Sequence, residues 1–507
     1  MAISRSYSAQ LNGLNPEIIT IEVDISIGLH SFSIVGLGDR SIDEAKDRIS
    51  AAIKNSGYTS PKQKNQKIII SLAPADIRKE GSSFDLGMSM AYLLASKELF
   101  YIPDDKIFLG ELSLHGHVSK ISGILPILSK LKALGYKEAY IPASNLDEAI
   151  LIKDIDIYPI STLSQLIEHF QNKNIICKIS DGFNIPKIST TNEKDMSIVR
   201  GNDIAKRGLE IAAAGAHNVV LYGPPGTGKT LLAHCFRSIL PDLTYTESIE
   251  VTGIHSIVDH NKNGLITRPP FRSPHHTASY PSVVGGGTYP KPGEITLAHR
   301  GVLFLDEFPE FDTSVIEALR QPLEEQTITI SRSKGVVTFP AQAIFIASLN
   351  PCPCGMKGSD KCKCSSYAIS TYNRKFSGPI ADRIDIWLSV DKIDYDKLGQ
   401  TTNTEEKSAT IRSRVQSARN IQQMRFIENG INKLYNSELN SSDIEKMIEI
   451  DDDSRKMLID FSKRLKISAR SFHRIIKVAR TIADLSDKKL VDKQSILESI
   501  QYRSKII

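Results

Sequence analysis

The residues with the clearest chemistry form the string GPPGTGKT at 223–230. Its glycines, lysine and threonine have the G-x-x-x-x-G-K-[ST] spacing of a phosphate-binding loop, or P-loop. The apolar run at 218–222 predicts a buried strand before the loop, and the apolar spacing at 231–240 predicts a helix after it. Backbone N–H groups at such a helix N-terminus attract phosphate oxygens. The alternative is a turn that only connects a strand to a helix, and the agreement of both flanks disfavours it.

Two positions of this loop have predicted individual roles. Lys229 is expected to contact the β- and γ-phosphates of ATP, and the hydroxyl of Thr230 to bind Mg²⁺. The other loop residues are expected to surround the nucleotide: Gly223, Pro224, Pro225, Gly226, Thr227 and Gly228.

Polar side chains end the next two apolar runs. GVLFLDE at 301–307 predicts a strand followed by Asp306, expected to hold Mg²⁺ through water, and Glu307, expected to orient and deprotonate the attacking water. AIFIASLN at 343–350 ends in Asn350, which is expected to sense the γ-phosphate or position the water. Taken singly, these are ordinary cap and turn residues; the P-loop upstream favours catalysis.

Three arginines are candidates for the remaining positive charge at the phosphates. Arg383 is expected to act on the nucleotide of a neighbouring subunit, with Arg374 as the alternative. Arg470 opens a basic helical stretch at 468–480 and is expected to reach the γ-phosphate of its own chain. Each arginine, taken singly, is more often part of a surface ion pair.

The order of these motifs resembles that of AAA+ ATPases. FRSPHHTAS (271–279), the stretch 283–307 and SGPIADRID (377–385) resemble the magnesium-chelatase-like branch, and within it the ComM/YifB family, along essentially the whole chain. The resemblance implies an α/β P-loop core with a parallel sheet and an ATP-driven ring, expected to be a homo-hexamer. For ComM members it implies a helicase that moves branch points while incoming DNA is integrated in natural transformation. Single-stranded or branched DNA and recombination proteins are the implied partners.

The resemblance also divides the chain. Residues 1–172 resemble the α+β (ribosomal S5-like) proteolytic domain of Lon-type proteases, 173–200 form a linker, 201–395 the AAA+ core, and 396–507 a helical lid.

In Lon-type proteases a serine and a lysine form the catalytic pair. Ser83 falls at the position of the serine, but Leu125 falls where the lysine belongs, and Lys120 and Lys130 have other offsets. Because a serine without a base is a weak nucleophile, we expect this domain to be inactive as a protease.

Four of the six cysteines lie in CPCGMKGSDKCKC, within a loop at 351–365. Four thiolates this close can surround one Zn²⁺, although two C-x-C pairs are not the commonest zinc spacing. The sequence therefore predicts a closed, structural zinc site, with free thiols or disulfides as the alternatives. Its ligands would be Cys352, Cys354, Cys362 and Cys364.

Two segments are candidates for contact with DNA. TITISRSKGVVTFP at 327–340 predicts a β-hairpin whose tip carries Arg332 and Lys334, and such hairpins project into the central channel in the related ATPases. The Gly-rich stretch 283–294 carries Tyr289 and Lys291, which suit stacking and charge. Ordinary solvated turn chemistry explains the basic hairpin tip equally well.

Composition limits the function without naming it. The chain has 507 residues, 41% of them hydrophobic and 24% charged, and a net charge of +5 that is too small to indicate a partner. No apolar run approaches the roughly 20 residues that span a bilayer, and the N-terminus has no secretory apolar segment, so we expect a cytoplasmic protein without membrane contact. A magnesium-chelatase-like motor subunit and a protein-remodelling AAA+ ATPase are the alternatives to a DNA motor.

Overall fold

The computed structural model describes residues 4–503 except 37, 39, 77–78, 80, 154, 180–192, 259–263, 288–289, 333–334, 358–359, 377–379, 393–404 and 465–466. The strands are β1 (Ser4–Asn12), β2 (Asn15–Ile27), β3 (Ser31–Val35), β4 (Gln66–Ala73), β5 (Lys106–Phe108), β6 (Glu111–Leu112), β7 (Val118–Ser119), β8 (Glu138–Pro142), β9 (Asp156–Ile160), β10 (Val219–Tyr222), β11 (Phe271–Arg272), β12 (Gly285–Gly286), β13 (Lys291–Pro292), β14 (Val302–Leu305), β15 (Thr327–Arg332), β16 (Gly335–Pro340), β17 (Ile344–Leu349) and β18 (Ile386–Ser389).

The helices are α1 (Arg40–Asn55), α2 (Asp85–Ala95), α3 (Ile124–Leu131), α4 (Leu146–Ala149), α5 (Leu163–Phe170), α6 (Asp203–Gly215), α7 (Lys229–Ile239), α8 (Tyr245–Val258), α9 (Tyr280–Val284), α10 (Glu294–Leu297), α11 (Thr313–Ala318), α12 (Arg320–Glu325), α13 (Ser366–Arg374), α14 (Ser408–Glu428), α15 (Ser441–Met447), α16 (Asp452–Arg464), α17 (Ala469–Leu485) and α18 (Lys493–Gln501). Short 3-10 helices lie at Lys132–Leu134, Ala143–Asn145, Met196–Ile198, Phe308–Glu310, Ala381–Arg383 and Asn436–Glu438.

The chain forms two compact units, which we call the first and the second unit. The first contains residues 1–188 and 245–267, and the second contains 189–244 and 268–507.

The first unit is built on two sheets. One has the strand order β1-β2-β4-β3, with only β3 and β4 parallel, and the other is the parallel sheet β5-β8-β9. Along β4 alternate residues are buried, as expected for a sheet with one covered face. Helix α2 packs into this core and is buried from Asp85 to Leu93.

Helix α8 belongs to the first unit although it follows the P-loop helix in sequence. Its residue Gly253 approaches the ring of Pro126 on α3 so closely that a Cβ would lie 3.1 Å from Cγ. Leu125 lies in a small core with Leu151 and Leu265, against which Ile249 of α8 packs. The inserted segment is therefore held by apolar contacts with α3 and the chain around Leu151.

The second unit is centred on a five-stranded, all-parallel sheet with the order β11-β14-β17-β10-β18. Every residue of β14 and β17 is buried, which is typical of parallel strands covered on both faces. Helices α6 and α7 contribute to the same core. The predicted α/β core with a parallel sheet is confirmed.

A helical region follows the sheet in the second unit. Helices α14 to α18 succeed one another along the chain, and α17 carries an apolar face that packs into a core with Leu458, Val491 and Ile496. The hairpin predicted at 327–340 is present as β15 and β16, with Arg332 opposite Gly335. Among the described residues, no helix is both long and apolar enough to cross a lipid bilayer.

Candidate active site and cysteine cluster

The P-loop lies between β10 and α7, at the carboxyl edge of the parallel sheet. Gly228 precedes the helix with φ at +93°, in the left-handed region that favours glycine. Gly223 lies against the backbone of Val390, and any Cβ there would overlap its carbonyl oxygen. The glycines therefore allow a tight loop whose backbone N–H groups precede a helix, which is the geometry of an anion site.

Lys229 is buried and already surrounded by oxygen atoms. Its Nζ donates to the carbonyls of Gly223 and Pro224, each at 2.8 Å, and to Oδ1 of Asn350 at 3.0 Å. Burial lowers the pKa of Lys229, while the nearby carboxylates of Asp306 and Glu307 oppose that shift. The structure thus brings Lys229 and Asn350 together, as the two motifs predict for neighbouring strand ends.

Asp306 follows β14 and faces the threonine of the P-loop. Oγ1 of Thr230 donates to Oδ2 of Asp306 at 2.8 Å, and Oγ of Ser348 donates to Oδ1 of the same carboxylate. Hydroxyl and carboxylate oxygens are ligands that Mg²⁺ prefers. Thr230 and Asp306 therefore fit a magnesium site between the P-loop and β14.

Ser348 is a site residue that the sequence analysis missed. It lies in β17 and is fully buried, where it contacts Asp306 and accepts the backbone N–H of Glu307 at 2.9 Å. The available signal was a hydroxyl residue inside the otherwise apolar run AIFIASLN.

Glu307 has an unusual backbone. Its φ is +50°, in the left-handed region that costs a non-glycine residue roughly 1–3 kcal/mol. The N–H of Glu307 donates to Ser348 and, at 3.1 Å, to Oδ1 of Asp306, so two hydrogen bonds hold this conformation. Its side chain is exposed beside the magnesium ligands. This position suits a carboxylate that must reach a water molecule.

The four loop cysteines converge. Their Sγ atoms all lie within 4.8 Å of one another, and the Sγ of Cys352 is 3.4 Å from that of Cys354 and 3.8 Å from that of Cys362. Cys352 is buried, Cys354 is exposed, and Cys362 and Cys364 are half-buried. Four thiolates at these distances fit one tetrahedral metal ion.

The arginines form a separate cluster. Arg383 is buried and its Nη2 donates to Glu324 on α12; Nη2 of Arg470 donates to the other oxygen of Glu324 at 3.0 Å. Nη1 of Arg474 donates to the carbonyl of Arg383 at 3.0 Å and also to Asp385. Arg374 is exposed at the end of α13 and does not belong to this cluster.

This arginine cluster borders a cavity of about 630 Å³ at the amino edge of the sheet. The cavity is lined by the residues directly before four strands: Asn218, Gly301, Ala343 and Asp385. The P-loop and Asp306 follow β10 and β14, so they lie at the opposite edge. Because a strand rises about 3.3 Å per residue, the full length of β10 or β14 separates the two edges. The structure therefore does not bring Arg470 or Arg383 together with Lys229 of the same chain.

The DNA-contact candidates are only partly covered by the described residues. Lys291 is exposed at the start of β13. Arg332 ends β15, but its side chain is not described, and Lys334 and Tyr289 lie outside the described residues.

The residues of the first unit that correspond to the protease pair have different surroundings. Ser83 is half-buried just before α2, whereas Leu125 is fully buried against Leu151 and Leu265. Lys120 pairs with Glu148 at 3.0 Å, and Lys130 donates to Asn15 at 2.7 Å. The position of the missing base is thus occupied by an apolar core residue.

Three family models match the chain. One described as magnesium chelatase, subunit ChlI, matches residues 195–398; subunit ChlI of Mg-chelatase matches 21–145; and the C-terminal part of that subunit matches 405–503.

Some curated relatives match nearly the full length of the chain, and others match part of it. Competence protein ComM of Haemophilus influenzae is 38% identical over 100% of this chain and 98% of its own. YifB of Escherichia coli, described as uncharacterized, is 38% identical over 99% of this chain and 97% of its own. DNA replication licensing factor mcm7-B of Xenopus laevis is 27% identical over 39% of this chain and 24% of its own. The chain therefore belongs to the ComM/YifB family of magnesium-chelatase-like AAA+ proteins.

Proposed function

We propose that this protein is an ATP-driven motor that acts on DNA as a hexameric ring. The observation that carries the proposal is the division of the catalytic groups between two opposite edges of one sheet. Lys229, Thr230, Asp306 and Asn350 meet at the carboxyl edge, while the arginines lie at the amino edge. The catalytic site around a nucleotide bound by one chain is then completed by arginines from another chain.

At the carboxyl edge, each group has a task in phosphoryl transfer. When ATP binds, Nζ of Lys229 exchanges the carbonyls of Gly223 and Pro224 for oxygens of the β- and γ-phosphates. Thr230 and Asp306 hold Mg²⁺. Glu307 orients and deprotonates the attacking water, and Asn350 aligns it with the γ-phosphate.

At the amino edge, Arg383 and Arg470 share one exposed carboxylate, that of Glu324. The guanidinium group binds phosphate through the same charge-assisted, bidentate geometry as carboxylate, and a triphosphate carries more negative charge than Glu324, so both arginines can exchange Glu324 for the nucleotide of the next subunit. A head-to-tail contact of this kind repeats in one direction and forms a ring when its rotation closes. Arg470 would then act between subunits rather than within its own chain.

DNA as the substrate is supported by two kinds of observation. The hairpin of β15 and β16 carries basic residues at its tip, which suit a phosphate backbone. The full-length relative from Haemophilus influenzae is named a competence protein, and a partial relative is named a DNA replication licensing factor. We propose helicase activity of the branch-migration type during natural transformation, in the cytoplasm and alongside recombination proteins.

A magnesium-chelatase-like motor subunit is the second candidate, because three family models carry that description. A protein-remodelling ATPase is the third. The buried Leu125 in place of a catalytic base disfavours a proteolytic machine.

We further propose that the cysteine cluster binds one structural Zn²⁺. Thiolates select zinc among the common divalent cations, and the reduced state of cysteines in a cytoplasmic protein keeps them available. With four protein ligands the site is closed and therefore not catalytic.

The test is ATP turnover of the purified full chain, measured without DNA, with single-stranded DNA and with a four-way junction. A DNA motor is stimulated by DNA and moves the junction only when ATP is hydrolysed. Turnover that ignores DNA contradicts the proposal. Stimulation by unfolded casein instead would favour protein remodelling.

A further inference from the structure

We propose that metal occupancy of the cysteine cluster controls nucleotide binding, because the cysteine loop is built against both the P-loop and Asn350. The inference rests on the proposed ATP site and goes beyond it, since it gives the closed metal site a task in the ATP cycle. The cluster consists of Cys352, Cys354, Cys362 and Cys364.

The spacing of the sulfur atoms matches a metal site. In a tetrahedral site with metal–sulfur bonds of about 2.3 Å, neighbouring sulfurs are about 3.8 Å apart. Three of the Sγ–Sγ distances are 3.4, 3.8 and 3.7 Å. A disulfide bond is about 2.05 Å long, so these thiols are not joined in pairs, and their spacing is that of ligands around one shared ion.

The loop has little else to hold it in place. Cys352 and Gly355 are buried, but Cys354, Lys357 and Lys361 are exposed. Among the described residues of the loop few side chains are buried, and such a segment gains its order from a bound metal, whose binding energy becomes folding energy of the loop. Removal of the metal therefore loosens this segment first.

One side of the loop touches the P-loop directly. Gly355 has φ at +75°, its N–H donates to the carbonyl of Cys352 at 2.8 Å, and a Cβ on it would lie 2.5 Å from Cδ of Pro225. Pro225 is the third residue of the P-loop. The backbone of the cysteine loop is thus in close contact with the backbone that must surround the phosphates.

The other side of the loop leads to Asn350, two residues before the buried Cys352. Oδ1 of Asn350 accepts from Nζ of Lys229 at 3.0 Å. A metal that fixes Cys352 therefore also fixes the amide that faces the P-loop lysine. Two connections, through Pro225 and through Asn350, link the metal to the phosphate site.

The experiment compares full-length variants by zinc content per chain and by affinity for a fluorescent ATP analogue. The double variant Cys354→Ser with Cys364→Ser is expected to lose zinc and to bind nucleotide about tenfold more weakly. A tenfold change in affinity corresponds to about the free energy of one hydrogen bond to a charged group. Cys177→Ser, at an exposed cysteine outside the cluster, is expected to change neither quantity.

A second variant separates the contact from the metal. Gly355→Ala keeps all four cysteines and is expected to keep zinc, yet to weaken nucleotide binding because the new methyl meets Pro225. Gly430→Ala is its matched control: Gly430 also has a positive φ, +65°, but nothing lies within 4 Å of a Cβ there. The control is expected to bind nucleotide like the wild type.

The outcomes are distinct. Wild-type protein without zinc, or a zinc-free cysteine variant with unchanged nucleotide affinity, overturns the inference. Zinc-dependent nucleotide affinity together with turnover that ignores DNA supports the inference and contradicts only the proposed DNA motor.

Discussion

At the scale of single residues, the site depends on oxygen atoms placed around one lysine and one threonine. Burial lowers the pKa of Lys229, and the carboxylates of Asp306 and Glu307 oppose that effect. Asp306 contacts Thr230 and Ser348, whereas Glu307 is exposed and held in a left-handed backbone conformation. The two neighbouring carboxylates therefore have different surroundings, which suits metal binding for Asp306 and proton transfer for Glu307.

Glu307→Gln tests this division. The amide cannot accept a proton from water, so ATP turnover is expected to fall by about 10²- to 10⁴-fold while ATP binding persists. The measurement is phosphate release beside affinity for a fluorescent ATP analogue. Glu310→Gln is the control, because Glu310 is an exposed carboxylate only three residues further on. Near-normal phosphate release by the Glu307 variant would exclude Glu307 as the base.

Residue types and spacing were sufficient to predict which groups meet at the carboxyl edge. The P-loop, Asp306 and Asn350 each follow an apolar run, and parallel strands bring their carboxyl ends together. Ser348 and the partner of the arginines, Glu324, were not predicted, because nothing local distinguishes them from other polar residues. The left-handed φ of Glu307 depends on tertiary hydrogen bonds that the sequence does not contain in any local pattern.

At the scale of elements, helix α17 is tied to the segment before β18. Arg474 of α17 contacts both Asp385 and the carbonyl of Arg383, and Nδ1 of His217 lies 3.4 Å from Asp385. Burial alone would raise the pKa of Asp385, but Arg474 and His217 outweigh it and hold the pKa below its ordinary value. The ion pair thus fixes the position of the arginine cluster relative to the sheet.

Asp385→Asn is expected to destabilise the second unit by about 3 kcal/mol, because it leaves Arg474 with an uncompensated charge. Since the folded pKa is depressed, the ionised carboxylate stabilises the wild type above the ordinary pKa of about 3.9, and this contribution is lost as the pH falls. Stability should therefore decrease more steeply between about pH 5 and pH 3 in the wild type than in the variant.

Urea unfolding followed by the fluorescence of Trp387 measures the free energy of unfolding. Trp387 is the single tryptophan and lies in β18, the strand that begins directly after Asp385. Asp391→Asn, at an exposed aspartate, is the control and should unfold like the wild type. Equal stability and equal pH dependence in the Asp385 variant would contradict the assigned ion pair.

The hairpin of β15 and β16 supports a separate prediction about DNA. Replacing Arg332 and Lys334 with alanine is expected to weaken single-stranded DNA binding and to reduce the slope of log affinity against log salt by about 1 to 2. Fluorescence anisotropy over a salt series measures both. Arg455→Ala with Lys456→Ala removes the same two charge types from the exposed face of α16 as a control. An unchanged slope would remove the hairpin tip from the DNA interface.

Elements with a clear apolar period were predictable from the sequence. The runs 301–307 and 343–350 became β14 and β17, and the alternation in 327–340 became the hairpin. The placement of α8 in the first unit was not predicted, because an amphipathic stretch does not specify which apolar surface will cover it. That choice depends on the close approach of Gly253 to Pro126, a contact between residues far apart in sequence.

At the scale of the whole molecule, the proposed function requires more than one chain. The second unit presents phosphate-binding groups at one edge of its sheet and an arginine cluster at the other. Under the proposed function, such a unit completes its site by head-to-tail contact with a copy of itself, and a ring is the closed form of that contact. In the proposed motor, ATP is hydrolysed at these boundaries and DNA occupies the centre of the ring.

Mixing two inactive variants tests this account most directly. Arg383→Ala keeps a complete carboxyl edge, and Glu307→Gln keeps its arginines. In randomly mixed rings about a quarter of the boundaries should pair the intact halves.

The measurement is DNA-stimulated ATP turnover of each variant alone and of their equimolar mixture. If catalysis is shared between subunits, either variant alone has little turnover and the mixture recovers clear activity. A mixture that assembles but stays as inactive as its components, or an Arg383 variant that is fully active alone, would contradict catalysis shared between subunits.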